Sequence, residues 1–178
     1  MRRRTVLKTS GVLATGAAMT LAGCSADQGG NGDTTTTPGG NSNTVQMVTS
    51  GGDYYFDPIG ISVETGDTVT FEIESGSHSA TAYVQGEEMA TVTRIPEGAS
   101  FWNSGTLSGE GTTYEHTFET AGTYDYYCIP HKALGMVGRI VVDEPGGPAE
   151  GSMPPDGDVP ESETIVEQGS VSYSEFSG

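Results

Sequence analysis

The sequence predicts an all-β fold, a β-sandwich, on two observations. Between residues 44 and 142, short segments rich in β-branched and aromatic residues alternate with turn residues about every ten positions. No stretch of that span sustains the apolar period of an amphipathic helix. Candidate strands are residues 45–49, 61–63, 68–74, 78–84, 113–119, 122–128 and 138–142, with turns at Thr65-Gly66-Asp67 and Ala121-Gly122. In the segment from Thr123 to Cys128, alternation puts Tyr124, Tyr126 and Cys128 on the core face, and Asp125 and Tyr127 outward. Residues 85–111 form a long Gly-containing excursion without an assigned element, whose Phe101-Trp102 pair is expected to act as a packing anchor.

The flanks differ in composition. Arg2, Arg3 and Arg4 precede an apolar run that ends at Ala22, and this pattern resembles a twin-arginine export signal. Leu21-Ala22-Gly23-Cys24 resembles a lipobox, so residues 1–23 are expected to be removed and Cys24 to carry a lipid. The apolar run of 14 residues is shorter than the roughly 20 that a spanning helix needs. An uncleaved membrane anchor is the alternative. Residues 24–43 read as a flexible Gly/Thr/Asn linker. Residues 143–178 hold nine acids, five prolines and no base, a composition expected to leave a disordered acidic tail.

Removal of residues 1–23 leaves Arg94, Lys132 and Arg139 against 24 acids, a formal charge of −21. Such a balance argues against nucleic acid and against attraction to anionic lipid. It leaves a basic partner or life in high salt, where charge repulsion is screened within a few ångströms. The spread of the acids along the whole chain favours high salt and a halophilic origin.

The chain has two cysteines, Cys24 and Cys128. With Cys24 lipidated, no disulfide is possible, and Cys128 is a free thiol or a metal ligand. Its context favours the ligand. Cys128-Ile129-Pro130-His131-Lys132-Ala133-Leu134-Gly135-Met136 offers a thiolate, an imidazole and a thioether directly after a strand, and His78 lies upstream at the start of another. Two His and one Cys in a plane with a weak axial Met is the blue-copper ligand set, in which soft sulfur ligands suit Cu(I) and imidazole suits both oxidation states. His78, Cys128, His131 and Met136 fill every position and leave none for a substrate. The expected task is therefore electron transfer and not catalysis.

These residues resemble the plastocyanin-like cupredoxin family, closest to the halocyanin-type proteins of halophilic archaea. The resemblance runs over residues 44–142 and is carried by Phe56-Asp57-Pro58-Ile59-Gly60, Gly66-Asp67-Thr68-Val69-Thr70-Phe71, Gly122-Thr123-Tyr124-Asp125-Tyr126-Tyr127-Cys128, His131 and Gly135-Met136-Val137-Gly138. It implies a Greek-key sandwich of about eight strands with one copper ion near one end. It also implies docking to redox partner proteins through an apolar rim around His131, formed by Ala133, Leu134 and Ile59, with Tyr127 as a second and longer route. Ser79 follows His78 where the family usually has Asn. The Ser79 backbone N–H can still reach the Cys128 sulfur, but the Asn side chain's clamp on the ligand loop is expected to be lost. His116, on the face of Tyr114 and Phe118, is expected to be a hydrogen-bonded core histidine and not a ligand. The competing functions are a copper-delivery lipoprotein and a metal-free binding sandwich.

Overall fold

The computed structural model describes residues 43–178. The expected signal, Cys24 and the linker up to residue 42 lie outside the described residues. Within them the elements are β1 (Thr44–Ser50), β2 (Asp53–Asp57), β3 (Gly60–Val63), β4 (Thr68–Ile73), β5 (Ser77–His78), β6 (Thr81–Ala82), β7 (Leu107–Ser108), β8 (Thr113–Thr117), β9 (Gly122–Tyr127), β10 (Val137–Val142), α1 (Ser162–Gln168), β11 (Ser170–Val171) and α2 (Tyr173–Ser177). A single 3-10 turn spans Lys132–Leu134. One sheet runs in the order β2-β1-β4-β8 and the other β11-β3-β10-β9-β6, while β5 and β7 pair separately. β1 lies parallel to β4, and β10 parallel to β3.

The two sheets enclose the core that alternation predicts. Val69, Phe71 and Ile73 of β4 point inward, as do Val45 and Met47 of β1, and they meet Ile61, Ile140, Tyr124 and Tyr126 from the other sheet. Each such side chain, fully buried, contributes roughly 1.5–3 kcal/mol. Trp102 joins this core and packs edge-on to Phe118 at 5.2 Å. Phe101 is 38% exposed, so of the expected anchor pair only Trp102 anchors. His116 stacks on Trp102 with ring centroids 4.7 Å apart, and it is held by rings where hydrogen bonds were expected.

Two expected features take a different form. The strand predicted over 78–84 breaks after His78 because two amides leave the ladder: Ser79 N–H turns to the Cys128 sulfur and Ala80 N–H to Ser104 Oγ. More consequentially, the acidic segment 143–178, expected as a disordered tail, packs on the outer face of β3, β10 and β9. Ile165 and Val171 join Ile59 and Val141 in one apolar cluster. Val159 joins Tyr83, Tyr127 and Val137 in another. Every residue of β9 and β10 is consequently buried. Gly60 permits the close seat of α1, because a Cβ there would lie 2.6 Å from Ile165 Cδ1.

Charge holds the segment in place as well as apolar contact. Asp125 and Arg139 face each other across β9 and β10, with Arg139 Nε 2.8 Å from Oδ1 and Nη2 3.1 Å from Oδ2. Arg94 Nε donates to the same carboxylate at 2.7 Å. The remaining guanidinium donors reach into the C-terminal segment: Arg94 to the Ala149 carbonyl at 2.7 Å and to the Ser152 carbonyl, and Arg139 to the Ala149 carbonyl at 3.1 Å and the Pro160 carbonyl at 3.3 Å. Asp125→Ala leaves two buried guanidiniums without their carboxylate. The expected loss of stability is about 3–5 kcal/mol, read by urea unfolding, with the intensity of near-UV signals from Tyr83 and Tyr127 falling as the segment lifts.

Candidate metal centre

The loop between β9 and β10 builds itself from its own backbone. Cys128 N–H donates to the Met136 carbonyl at 3.0 Å and closes the base of the loop. His131 N–H donates to the Cys128 carbonyl at 3.2 Å, and Met136 N–H to the His131 carbonyl at 3.3 Å. The 3-10 turn then ends at Gly135, whose left-handed φ of 86° lets its N–H cap the Lys132 carbonyl. Cys128 and Met136 are drawn into the core cluster, while Ala133 and Leu134 stay outside, Leu134 at 64% exposure.

His78 arrives from β5, which pairs with β7 of the long excursion. Its ring is fixed from behind: Nε2 lies 3.0 Å from the Ser75 carbonyl and 3.0 Å from Thr49 Oγ1. A carbonyl can only accept, so Nε2 carries the proton and Nδ1 turns its lone pair inward. This is the arrangement of ligating histidines held by an outer hydrogen bond. Gly76, at φ +85°, makes room for it, since a Cβ there would sit 3.1 Å from His78 Nε2.

Three ligand atoms converge. His131 Nδ1 is 3.2 Å from His78 Nδ1 and 3.3 Å from Cys128 Sγ, and Sγ is 3.7 Å from His78 Nδ1. A point about 2 Å from all three is available, the length of a metal–imidazole bond. Among the described residues these are the one group of His, Cys, Asp and Glu side chains close enough to hold a metal. His116 is not part of it. Met136 is fully buried in the same cluster as Cys128.

Electrostatics leave the site neutral before metal binds. Burial lowers the pKa of His78, with the neighbouring His131 adding to the effect and the Ser75 carbonyl opposing it. Burial lowers that of His131 too. Burial raises the Cys128 thiol, against the pull of the Ser79 backbone N–H 3.4 Å from its sulfur. A metal taken up here must therefore displace the thiol proton.

Two contacts escape a reading of the sequence. Thr49 and Tyr54 are cross-strand partners on β1 and β2; Thr49 touches His78, and Tyr54 stacks on His131 with ring centroids 3.8 Å apart at 14°. Their signal is weak because β2 lies in a tyrosine-rich stretch whose pairing only the hairpin reveals. The clamp expected to be lost at Ser79 is present: Ile129 N–H donates to Ser79 Oγ at 2.7 Å. Ile59, expected at the rim, is 3% exposed and lies under α1. Tyr127, expected outward, is fully buried. It packs against Tyr83 at 4.5 Å and under Lys132, which pairs with Asp156 at 3.2 Å.

Fold and site together define a β-sandwich in which a buried cysteine thiol is flanked by two imidazoles, a set of side chains suited to a soft metal. The model of the copper binding proteins, plastocyanin/azurin family, matches residues 43–143, and the chain belongs to that family. A plastocyanin of Scenedesmus fuscus is 31% identical over 102 residues, 56% of this chain and 97% of that one. A halocyanin of Natronomonas pharaonis is 35% identical over 103 residues, 56% of each chain. A solved pseudoazurin of Sinorhizobium meliltoi is 30% identical over 71% of this chain and 91% of its own, with a TM-score of 0.47.

One buried and two half-buried imidazoles make the metal-free fold sensitive to acid. His78, His116 and His131 all titrate below the ordinary value because of burial, which is about 6.5 in an unfolded chain. Below that pH the unfolded state binds more protons than the folded one, so stability that is complete above it falls as the pH drops. The urea midpoint of metal-free protein is expected to be lower at pH ~5.5 than at pH ~7.5, with a smaller difference in His116→Gln. Equal midpoints at the two pH values would contradict the assignment of neutral imidazoles to the folded state.

Proposed function

We propose that the chain is a type 1 blue copper protein, a one-electron carrier and not an enzyme, tethered to the outer face of a cell membrane by lipid on Cys24. The observation that carries this reading is the convergence of His78 Nδ1, Cys128 Sγ and His131 Nδ1 within 3.7 Å of one another in a chain of this family. Bound copper supplies the couple between Cu(II) and Cu(I). The protein supplies rigidity. His78 is pinned by Ser75 and Thr49, His131 by the Tyr54 ring, and Cys128 by the loop's own hydrogen bonds. Ligands that move little between two oxidation states leave little reorganisation to oppose the electron. Met136 is assigned as the axial ligand, supported by its burial beside Cys128 and by its backbone bonds to both Cys128 and His131.

His131 is the assigned port. It is the half-buried member of the three, and Ala133 and Leu134 beside it form an exposed apolar patch where a redox partner can exclude water. Among the described residues no helix is long and apolar enough to cross a membrane. The residues between Cys24 and Asn43 would act as the tether, and the acidic surface suits work at high salt.

Adding Cu(II) to metal-free protein is expected to produce an intense visible thiolate-to-copper band. Cys128→Ser should remain colourless while keeping its fold. A colourless wild type would remove the electron-carrier reading. Anchoring is tested apart from colour: Cys24→Ser should shift the protein from the membrane fraction to the medium with its visible band intact, and an unchanged distribution would reject lipidation at Cys24.

A further inference from the structure

The 3-10 turn in the middle of the ligand loop has no buried residue of its own. Cys128 and Met136 anchor the loop's two ends in the core, but Ala133, Leu134 and Gly135 between them are exposed. The turn is tied down by Lys132, whose side chain is 11% exposed and carries its ammonium over the Tyr127 ring. That ammonium donates to the Met89 carbonyl at 2.7 Å and meets Asp156 Oδ2 at 3.2 Å. The same carboxylate oxygen accepts from Tyr83 O–H at 2.7 Å, which fixes it against the sheet. Ion pairs in open solvent contribute little, but a shielded ammonium needs its partners, because a buried charge without them is costly.

The next residue makes a second contact, by shape. Gly157 lies so close to the loop that a Cβ there would sit 2.9 Å from the Gly135 carbonyl oxygen and 2.9 Å from Val137 Cγ2. Backbone thus rests on backbone at the end of the turn. Val159 follows and packs with Tyr83, Tyr127 and Val137, and Ile129, at the start of the loop, lies against the same cluster. Asp156, Gly157 and Val159 all lie beyond residues 43–143, the span that the family model matches.

We propose that residues 156–159 of the C-terminal segment brace the ligand loop, with Asp156 as a positioning residue that holds the 3-10 turn through Lys132. The brace restricts His131 and Met136, which flank the turn. A loop ordered before metal arrives loses less freedom on taking it up, so the docked segment also favours retention of the metal. The effect on retention rests on the copper reading given above, whereas the constraint on the loop belongs to the metal-free protein.

Amide exchange in the metal-free full chain reads the brace directly. The Leu134 and Gly135 N–H groups donate to the His131 and Lys132 carbonyls at 2.9 and 3.1 Å. Both are expected to exchange at least about tenfold faster in Asp156→Asn and in Gly157→Ala. The first variant removes the charge and keeps an oxygen for Tyr83, while the second pushes the segment off the loop and changes no charge. The Phe118 amide, bonded to the Asp67 carbonyl at 2.9 Å beside the β4–β8 pairing of the other sheet, should keep its rate. Lys132→Met combined with Asp156→Asn should accelerate exchange by less than the product of the single effects, since both remove one interaction. In copper-loaded protein, Asp156→Asn and Gly157→Ala should each lose Cu(I) to a chelator about tenfold faster than wild type. Unchanged Leu134 and Gly135 rates in both variants would overturn the brace, and so would an equal acceleration at Phe118. Fully multiplicative effects of Lys132→Met and Asp156→Asn would overturn the action of Asp156 through Lys132, and copper loss at the wild-type rate would overturn the effect on retention. Failure of the wild type to take up copper would instead overturn the functional reading and leave the exchange rates to decide the brace.

Discussion

The buried carboxylate of Asp125 between two guanidiniums is the interaction on which the rest of the structure depends. It joins neighbouring strands β9 and β10, the long excursion through Arg94, and the C-terminal segment through carbonyls that accept from both arginines. A lone buried charge costs several kcal/mol, whereas one paired and fully hydrogen-bonded is tolerated. Asp125 and Arg139 therefore require a cover, and the cover requires them. β9 ends in Cys128 and β10 follows the ligand loop, so the strands that fix this network also deliver the loop.

The centre is held from three directions. The ligand loop is closed by its own backbone, the excursion positions β5 and His78 through β7, and the β1–β2 hairpin contacts both imidazoles through Thr49 and Tyr54. On the second sheet's outer face Tyr127 is covered by the C-terminal segment and Lys132. His131, by contrast, stays partly exposed.

The acidic composition acquires a structural meaning from the same contacts. All three basic side chains of the described residues are engaged internally: Arg94 and Arg139 with Asp125, and Lys132 with Asp156 and the Met89 carbonyl. The outer surface is left to carboxylates. The bases act as fasteners for an acidic segment that composition alone marks as unable to fold.

What the sequence determined by itself is what depends on short range. The period-two alternation of 68–73 and 122–128 specifies inward and outward faces. The nine-residue run from Cys128 to Met136 declares its chemistry because a thiol, an imidazole and a thioether lie in one short loop. The apolar run Ile140-Val141-Val142 lies in β10, every residue of which is buried. Only the tertiary structure decided what covers it. Val159, Ile165 and Val171 are too few to make a core of their own and become ordered against a surface supplied by strands far away in sequence. The contacts of Thr49 with His78 and of Tyr54 with His131, and the reach of Ser79 Oγ to Ile129, belong to the same class. Each depends on backbones brought together from distant positions, and no local pattern of residues encodes that proximity.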